Sequence, residues 1–210
     1  MGKMRYFASQ DPENIKYRSD EEIDRFFRVV RKSRQGARDE CLFNLMLSYG
    51  LRREELINLK LDHISSNGRQ LFVKRVKQSE ESQKRTSCWY NLSDKNIKLL
   101  KRWLKVRAKW PGADLPWLFI SKLLSQKMNV GSINYLVKKY GKRANIEDLS
   151  PHQFRFTAGY RARRSGKDIQ DIQYRLGHSS FVSSFVYTQL FGPDQVKRDK
   201  EMNEAIEDNK

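Results

Sequence analysis

The residues best suited to chemistry gather in the last third of the chain. Leu149-Ser-Pro-His-Gln-Phe-Arg-Phe-Thr-Ala158 sets His152 and Arg155 three apart just behind a proline. Leu176-Gly-His-Ser-Ser180 sets His178 behind a glycine, and Tyr187-Thr-Gln189 adds a phenol in a short helical segment. On a helix, the spacing of His152 and Arg155 projects both from one face. Such a set can hold a phosphodiester and attack it. A guanidinium stays charged at any relevant pH and offers planar, bidentate donors to phosphate oxygens, a geometry that lysine cannot match. A phenol has a pKa near ~10 and needs a neighbouring base or a cationic field to attack well at neutral pH.

A second arginine stands upstream in Gly50-Leu-Arg-Arg-Glu-Glu-Leu56. Arg52 lies beside a helix N-terminus, whose free N–H groups add favourable potential toward a phosphate. Glu55, one turn on, can hold its side chain by an i,i+3 contact. Taken alone, this stretch reads first as a plain surface Arg–Glu pair, and Arg53 is adjacent. The chain has three histidines; His63 follows Asp62 at the end of a helix and is assigned no role.

The elements that must position these groups follow from capping, periodicity and turn residues. Residues 1–18 are polar and aperiodic and read as an arm. Ser19-Asp-Glu-Glu22 is a capping box, and the helix behind it is apolar at Ile23, Phe26, Phe27 and Val30. Gly36 breaks that helix. Leu42, Phe43, Leu45, Met46 and Leu47 make the next one, central to the core and stopped by Gly50. A third helix is expected from Arg52 to about Lys60. After the Asn67-Gly68 turn, Leu71–Val73 and Thr86–Tyr90 read as strands joined by the charged segment Lys77 to Arg85. Ser93-Asp94 opens a long helix that Pro111-Gly112 stops, Trp117–Ile120 is a short apolar segment, and Val130–Arg143 is a basic amphipathic helix. Pro151 suits the first turn of a helix running to about Ser165. Asp168 to Leu176 makes another, with Gly177 as its stop. Gly192 to Lys210 is a tail helix or disordered. The fold class is therefore α+β, mainly α, with one small antiparallel sheet. One domain spans 19–192, between the arm and a tail at 193–210.

Lys and Arg total 42 against 25 Asp and Glu in 210 residues, a formal charge of +17. That excess argues for a polyanionic partner such as nucleic acid, with a merely highly charged soluble protein as the plain alternative and an anionic membrane surface as a weaker one. No apolar run reaches the roughly 20 residues of a membrane span, and no signal-peptide core follows the N-terminus. The chain reads as soluble and intracellular. Cys41 and Cys88 lie among apolar residues without a second ligand at metal spacing. They read as buried reduced thiols, and neither disulfide nor zinc is expected.

Taken in order, Gly50-Leu-Arg with Glu55-Leu56, a hairpin lysine, His152-x-x-Arg155, Leu176-Gly-His178 and Tyr187-Thr188 resemble the catalytic domain of the tyrosine recombinases. These are the phage-integrase family of DNA strand-exchange enzymes. The resemblance covers about Ser19 to Leu190. It implies the integrase catalytic-domain fold and selects Arg52 over Arg53, and Tyr187 as nucleophile among nine tyrosines. It further implies that His152 helps take the tyrosine proton and that His178 donates a hydrogen bond to the scissile phosphate. The general acid of the family is a lysine in a β-hairpin; Lys74, Lys77 and Lys84 all qualify by position, and Lys77, just past the first strand, fits best. Lys74, Arg75, Lys84, Arg85, Arg161, Arg163, Arg164 and Lys167 are expected on backbone phosphates.

Two departures stand out. Phe156 occupies a position where the family often has a second histidine, a change expected to affect packing. Only a short arm precedes the catalytic region, as in the short fimbrial phase-switch recombinases, whose motifs resemble Ala37-Arg-Asp-Glu-Cys-Leu42 and Leu100-Lys-Arg-Trp-Leu104; a piece of a longer integrase would read the same.

By resemblance the partner is double-stranded DNA carrying a specific site. Four protomers would assemble on synapsed DNA, from a monomer or weak oligomer without it, with accessory DNA-bending proteins as further partners. No cofactor and no metal is expected. The implied setting is the nucleoid in the cytoplasm of a bacterium, phage host or carrier of a mobile element. The alternatives are type IB topoisomerase-like strand relaxation and a catalytically silent DNA-binding regulator of the same fold.

Overall fold

The structure, a computed structural model, describes residues 17–76 and 87–178. Helix α1 (Asp20–Arg31) starts on the anticipated capping box: the Ser19 hydroxyl accepts from the Glu22 N–H at 3.1 Å, and the Glu22 carboxylate accepts from the Ser19 N–H at 2.9 Å. Its buried face is Ile23, Phe26, Phe27 and Val30. Helix α2 (Gly36–Tyr49) is buried on nearly every side, which explains the apolar run at 41–47, broken by Asn44, whose side-chain amide donates to Glu40 O at 2.9 Å. It ends at Gly50, whose φ of 58° belongs to the left-handed region. A Cβ there would also lie 2.2 Å from Leu176 Cδ2, so the corner needs glycine for conformation and for room.

Helix α3 (Arg53–Ile57) is shorter than expected. The helix does not continue to Lys60 because the backbone beyond it is used elsewhere. The Leu61 N–H donates to Pro116 O and the Leu59 carbonyl accepts from Leu118 N–H, both at 2.8 Å. A single 3-10 turn, Leu61–His63, follows. Strands β1 (Gln70–Val73) and β2 (Cys88–Asn91) pair antiparallel with Gln70 opposite Asn91 and Val73 opposite Cys88. Leu71, Val73 and Tyr90 face the core, while Trp89 stays exposed.

Helix α4 (Asp94–Arg107) packs on α2. A second, two-residue hairpin, β3 (Ile120–Ser121) with β4 (Gln126–Lys127), was not anticipated from the apolar segment before it. The loop leading to it is gathered by Arg107, which donates to the carbonyls of Ala113 (2.9 Å), Leu115 (2.6 Å) and Trp117 (2.7 Å). Helices α5 (Val130–Arg143), α6 (Pro151–Arg164) and α7 (Ile169–Leu176) complete the described chain.

The core lies where α1, α2, α5 and α6 meet. Phe26 packs edge-on against Phe43, Tyr140 and Phe154, each ring centroid within 6.0 Å. Burying rings of this size is worth roughly 1.5–3 kcal/mol each. The Tyr140 hydroxyl is satisfied inside by Asp39 at 2.5 Å. Cys41 is fully buried, and Cys88 is only half-buried. Among the described residues no helix is long and apolar enough to cross a membrane.

Candidate active site

The first arginine is set by the corner after α2. Gly50 reverses the chain, Leu51 plugs into the core, and Arg52 becomes the N-cap of α3. Its backbone N–H donates to Glu55 Oε2 at 2.8 Å, and its Nη1 donates to Glu55 Oε1 at 2.9 Å. One carboxylate therefore holds both the main chain and the side chain of Arg52. Burial alone would raise the Glu55 carboxyl, but the charges of Arg75 and Arg52, the Arg52 N–H and Arg155 outweigh it and hold the group below its ordinary range. Arg53 turns toward α5, where it donates to Asn134 Oδ1 at 2.9 Å.

The second arginine and the first histidine come from the opening turns of α6. Pro151 takes the first helical position, and the Gln153 side chain accepts from the Ser150 N–H at 2.9 Å. His152 and Arg155 then share a face. With Ser150, Pro151, Arg52 and Arg53 they line a cleft of about 350 Å³. Arg155 is buried, and its Nη1 donates to the Gly50 carbonyl at 2.5 Å. Phe156 meets the His152 ring edge-on at 4.6 Å, the packing role expected of it.

His178 arrives from α7. Gly177, with φ 61°, ends that helix, and the His178 N–H returns to Gln173 O at 3.0 Å. Its imidazole is buried in the same positive field: burial first, then Arg155, Arg52, Arg75 and His152, push its pKa down to about 2. His152 is also lowered, by burial and by Arg155, Arg52 and Arg53. Both rings are thus neutral near pH 7. A neutral imidazole can accept a proton or donate one N–H, and the surrounding positive charge is left for an anion.

Arg75 does not contact the surface as expected. Its side chain is fully buried and paired with Glu55, Nη1 to Oε2 at 2.8 Å. Its Nη2 donates to the Tyr90 hydroxyl and, at 2.8 Å, to Arg175 O. Burial inside an ion pair removes it from the set of phosphate contacts.

The other basic residues lie apart from the cleft. Arg161 donates to Asp20 at 2.6 and 3.0 Å, Arg164 reaches the same carboxylate at 3.3 Å, Arg163 donates to Lys167 O at 3.4 Å, and Lys167 lies 4.0 Å from Asp171. At 1.5 Å per residue, positions 161–164 sit roughly 14–18 Å along α6 from His152. Lys74 is exposed just after β1. Lys77, Lys84, Arg85 and Tyr187 lie outside the described residues, as do most of the arm and all of the tail.

One residue of the arm has a role that sequence reasoning missed. Arg18 donates its backbone N–H to Thr157 Oγ1 at 2.9 Å, its Nε to Gln153 Oε1 at 3.2 Å and its Nη2 to Glu147 O at 2.6 Å. Beside it Tyr17 stacks on Tyr160 at 3.8 Å. Neither contact carries a periodic signal, because both are made across more than a hundred residues.

The sequence matches the phage integrase family over residues 16–192. It is 35% identical over 175 residues to tyrosine recombinase XerC of Caldanaerobacter subterraneus subsp. tengcongensis, an alignment spanning 82% of this chain and 45% of that protein. It is 26% identical over 168 residues to type 1 fimbriae regulatory protein FimB of Escherichia coli, spanning 80% of each. Among solved structures, XerH site-specific recombinase bound to palindromic difH substrate in a post-cleavage complex has the same fold, with a TM-score of 0.71 at 21% identity over 90% of this chain and 53% of that one. The chain thus spans less than half the length of the XerC relative and most of the FimB relative. Because the family match begins just ahead of the α1 capping box and runs on past Tyr187, the chain belongs to the phage integrase family.

Proposed function

We propose that this chain carries the catalytic part of a site-specific DNA recombinase. The observation that carries the reading is the convergence on one cleft of Arg52, His152 and Arg155, drawn from two distant segments, with His178 in the same cationic field. Arg52 and Arg155 would bracket the non-bridging oxygens of a scissile phosphate, and His178 would donate to one of them. Tyr187 attacks phosphorus, and His152 takes the phenolic proton. The bond to the 5′ oxygen breaks, and Lys77 supplies the proton that leaves with it.

The products are a 3′-phosphotyrosyl link and a free 5′ hydroxyl. Attack by the 5′ hydroxyl of a partner strand reverses the step. Because the phosphoester bond is exchanged rather than hydrolysed, the cycle needs no external energy source. Fixed positive charge around the developing pentacoordinate phosphorus supplies the stabilisation. Strand exchange requires two duplexes and, on this reading, four protomers, with DNA-bending proteins as accessories. The enzyme would work on the nucleoid of a bacterial cell, in service of a chromosome, phage or mobile element. Family membership favours this reading over strand relaxation and over a silent regulator.

The test is covalent capture on a pool of short duplexes, randomised in sequence and nicked at varied positions so that the released 5′ end diffuses away. The full chain is expected to leave a detergent-resistant protein–DNA adduct whose sequence names the site, and Tyr187→Phe to bind DNA and leave none. An adduct formed by Tyr187→Phe would overturn the nucleophile. For Lys77→Ala, slow cleavage should be restored by a 5′-thiol leaving group; without that rescue the role passes to Lys84 or Lys74.

A further inference from the structure

Arg75 makes contacts to three separate elements. It stands two residues past β1, with its backbone N–H held by Ser87 Oγ at 2.9 Å. Its guanidinium reaches Glu55 on α3, the Tyr90 hydroxyl on β2, and Arg175 O at the end of α7. Tyr90 passes the connection on by donating to Tyr174 O at 3.0 Å. The last turn of a helix is its negative end, so a cation there is favoured by the free carbonyls as well as by Glu55.

The packing around Gly177 makes this arrangement one of close fit. A Cβ on Gly177 would lie 2.2 Å from Arg75 Nε, so the guanidinium edge lies directly under the residue that precedes His178. On its other side the same guanidinium holds Glu55, whose two oxygens grip the main chain and side chain of Arg52. Arg52 and His178 therefore share one buried support.

We propose that Arg75 is a positioning residue that sets the placement of Arg52 relative to His178 by clamping Glu55 and the α7–His178 corner in one guanidinium plane. This rests on the recombinase reading above. Three acceptors in different directions demand a planar fork; a lysine at this depth could satisfy at most part of the set. The support acts on the geometry of the cleft, and Arg75 itself never touches DNA.

The experiment compares the full chain with Arg75→Lys, which keeps charge and most of the volume, and with Arg75→Met. At saturating captured-site DNA, Arg75→Lys is expected to form the covalent adduct at least tenfold more slowly while its DNA affinity stays within threefold of wild type. Nitrogen-15 relaxation should show the Arg52 guanidinium losing order in both variants. An adduct rate within threefold of wild type, or loss of rate only in proportion to lost affinity and folded protein, overturns the proposal. So does an Arg52 guanidinium that stays as ordered as in wild type. Should the wild type itself form no adduct, the recombinase reading fails, and the Arg52 order in Arg75→Lys still decides whether Arg75 positions it.

Discussion

Arg155 donates to the Gly50 carbonyl at 2.5 Å, so the second arginine of the cleft is bonded to the corner that launches the first. The guanidinium thereby has one nitrogen committed to the protein main chain, in a residue that also lines the cleft. Lysine at 155 would keep the charge but could not serve the carbonyl and a phosphate in one plane. Arg155→Lys is expected to slow adduct formation on the order of 10²–10³-fold, the scale of losing one transition-state donor. Quenched single-turnover capture at saturating DNA measures it.

Glu55 is a buried anion between two cations, with no exposed side-chain surface. Glu55→Gln would leave Arg75 in the interior without its counter-charge. Removing one partner of such a pair typically costs about 3–5 kcal/mol. Urea denaturation of the variant should show a loss on that scale, and capture should slow because Arg52 is released from its carboxylate.

The histidines make folding stability depend on pH in one direction. In the unfolded chain a histidine titrates near about pH 6.5, whereas burial and the neighbouring arginines hold His178 down to about 2 and lower His152 as well. Below the unfolded value the unfolded state binds the extra protons, so stability is full above it and falls as the pH drops. Glu55 adds to the loss at still lower pH, since its carboxyl is lowered from the ordinary value and its ion pairs vanish on protonation. The melting temperature is expected to fall between pH 7 and 5, and less steeply in His178→Gln. A wild-type melting temperature that is flat across this interval would contradict the burial of the His178 ring.

Two glycines separate conformation from crowding. Gly166 (φ 81°) has open space where a Cβ would stand, whereas at Gly177 (φ 61°) the Cβ would collide with Arg75. Gly166→Ala should cost only the backbone term, about 1–2 kcal/mol. Gly177→Ala should cost more, because Arg75 must move, and it should slow capture. Paired denaturation curves and single-turnover rates check both.

Much of the scaffold was legible locally. The Ser19–Glu22 box, Pro151 at a helix start and the stops at Gly50 and Gly177 rest on rules within a few residues, and the helix at Val130–Arg143 on its apolar face. The Arg52–Glu55 grip was readable for the same reason, since its partners lie three apart. Arg75, Arg18 and Arg107 were not, because each bonds backbone carbonyls, and a carbonyl has no residue type to read. Arg75 and Arg175 O are a hundred positions apart, and an exposed basic hairpin was the natural reading of Lys74-Arg75. The early end of α3 has the same origin, a competing pairing with the Trp117 segment.

The strap formed by Tyr17 and Arg18 gives the catalytic helix a handle. Any polypeptide joined ahead of these two residues is moored to Gln153, Thr157 and Tyr160, the flank of the helix whose opening turns carry His152 and Arg155. A load applied at that end would be felt first by α6. An affinity tag is therefore better carried far from this mooring, where it cannot tug on the residues lining the cleft.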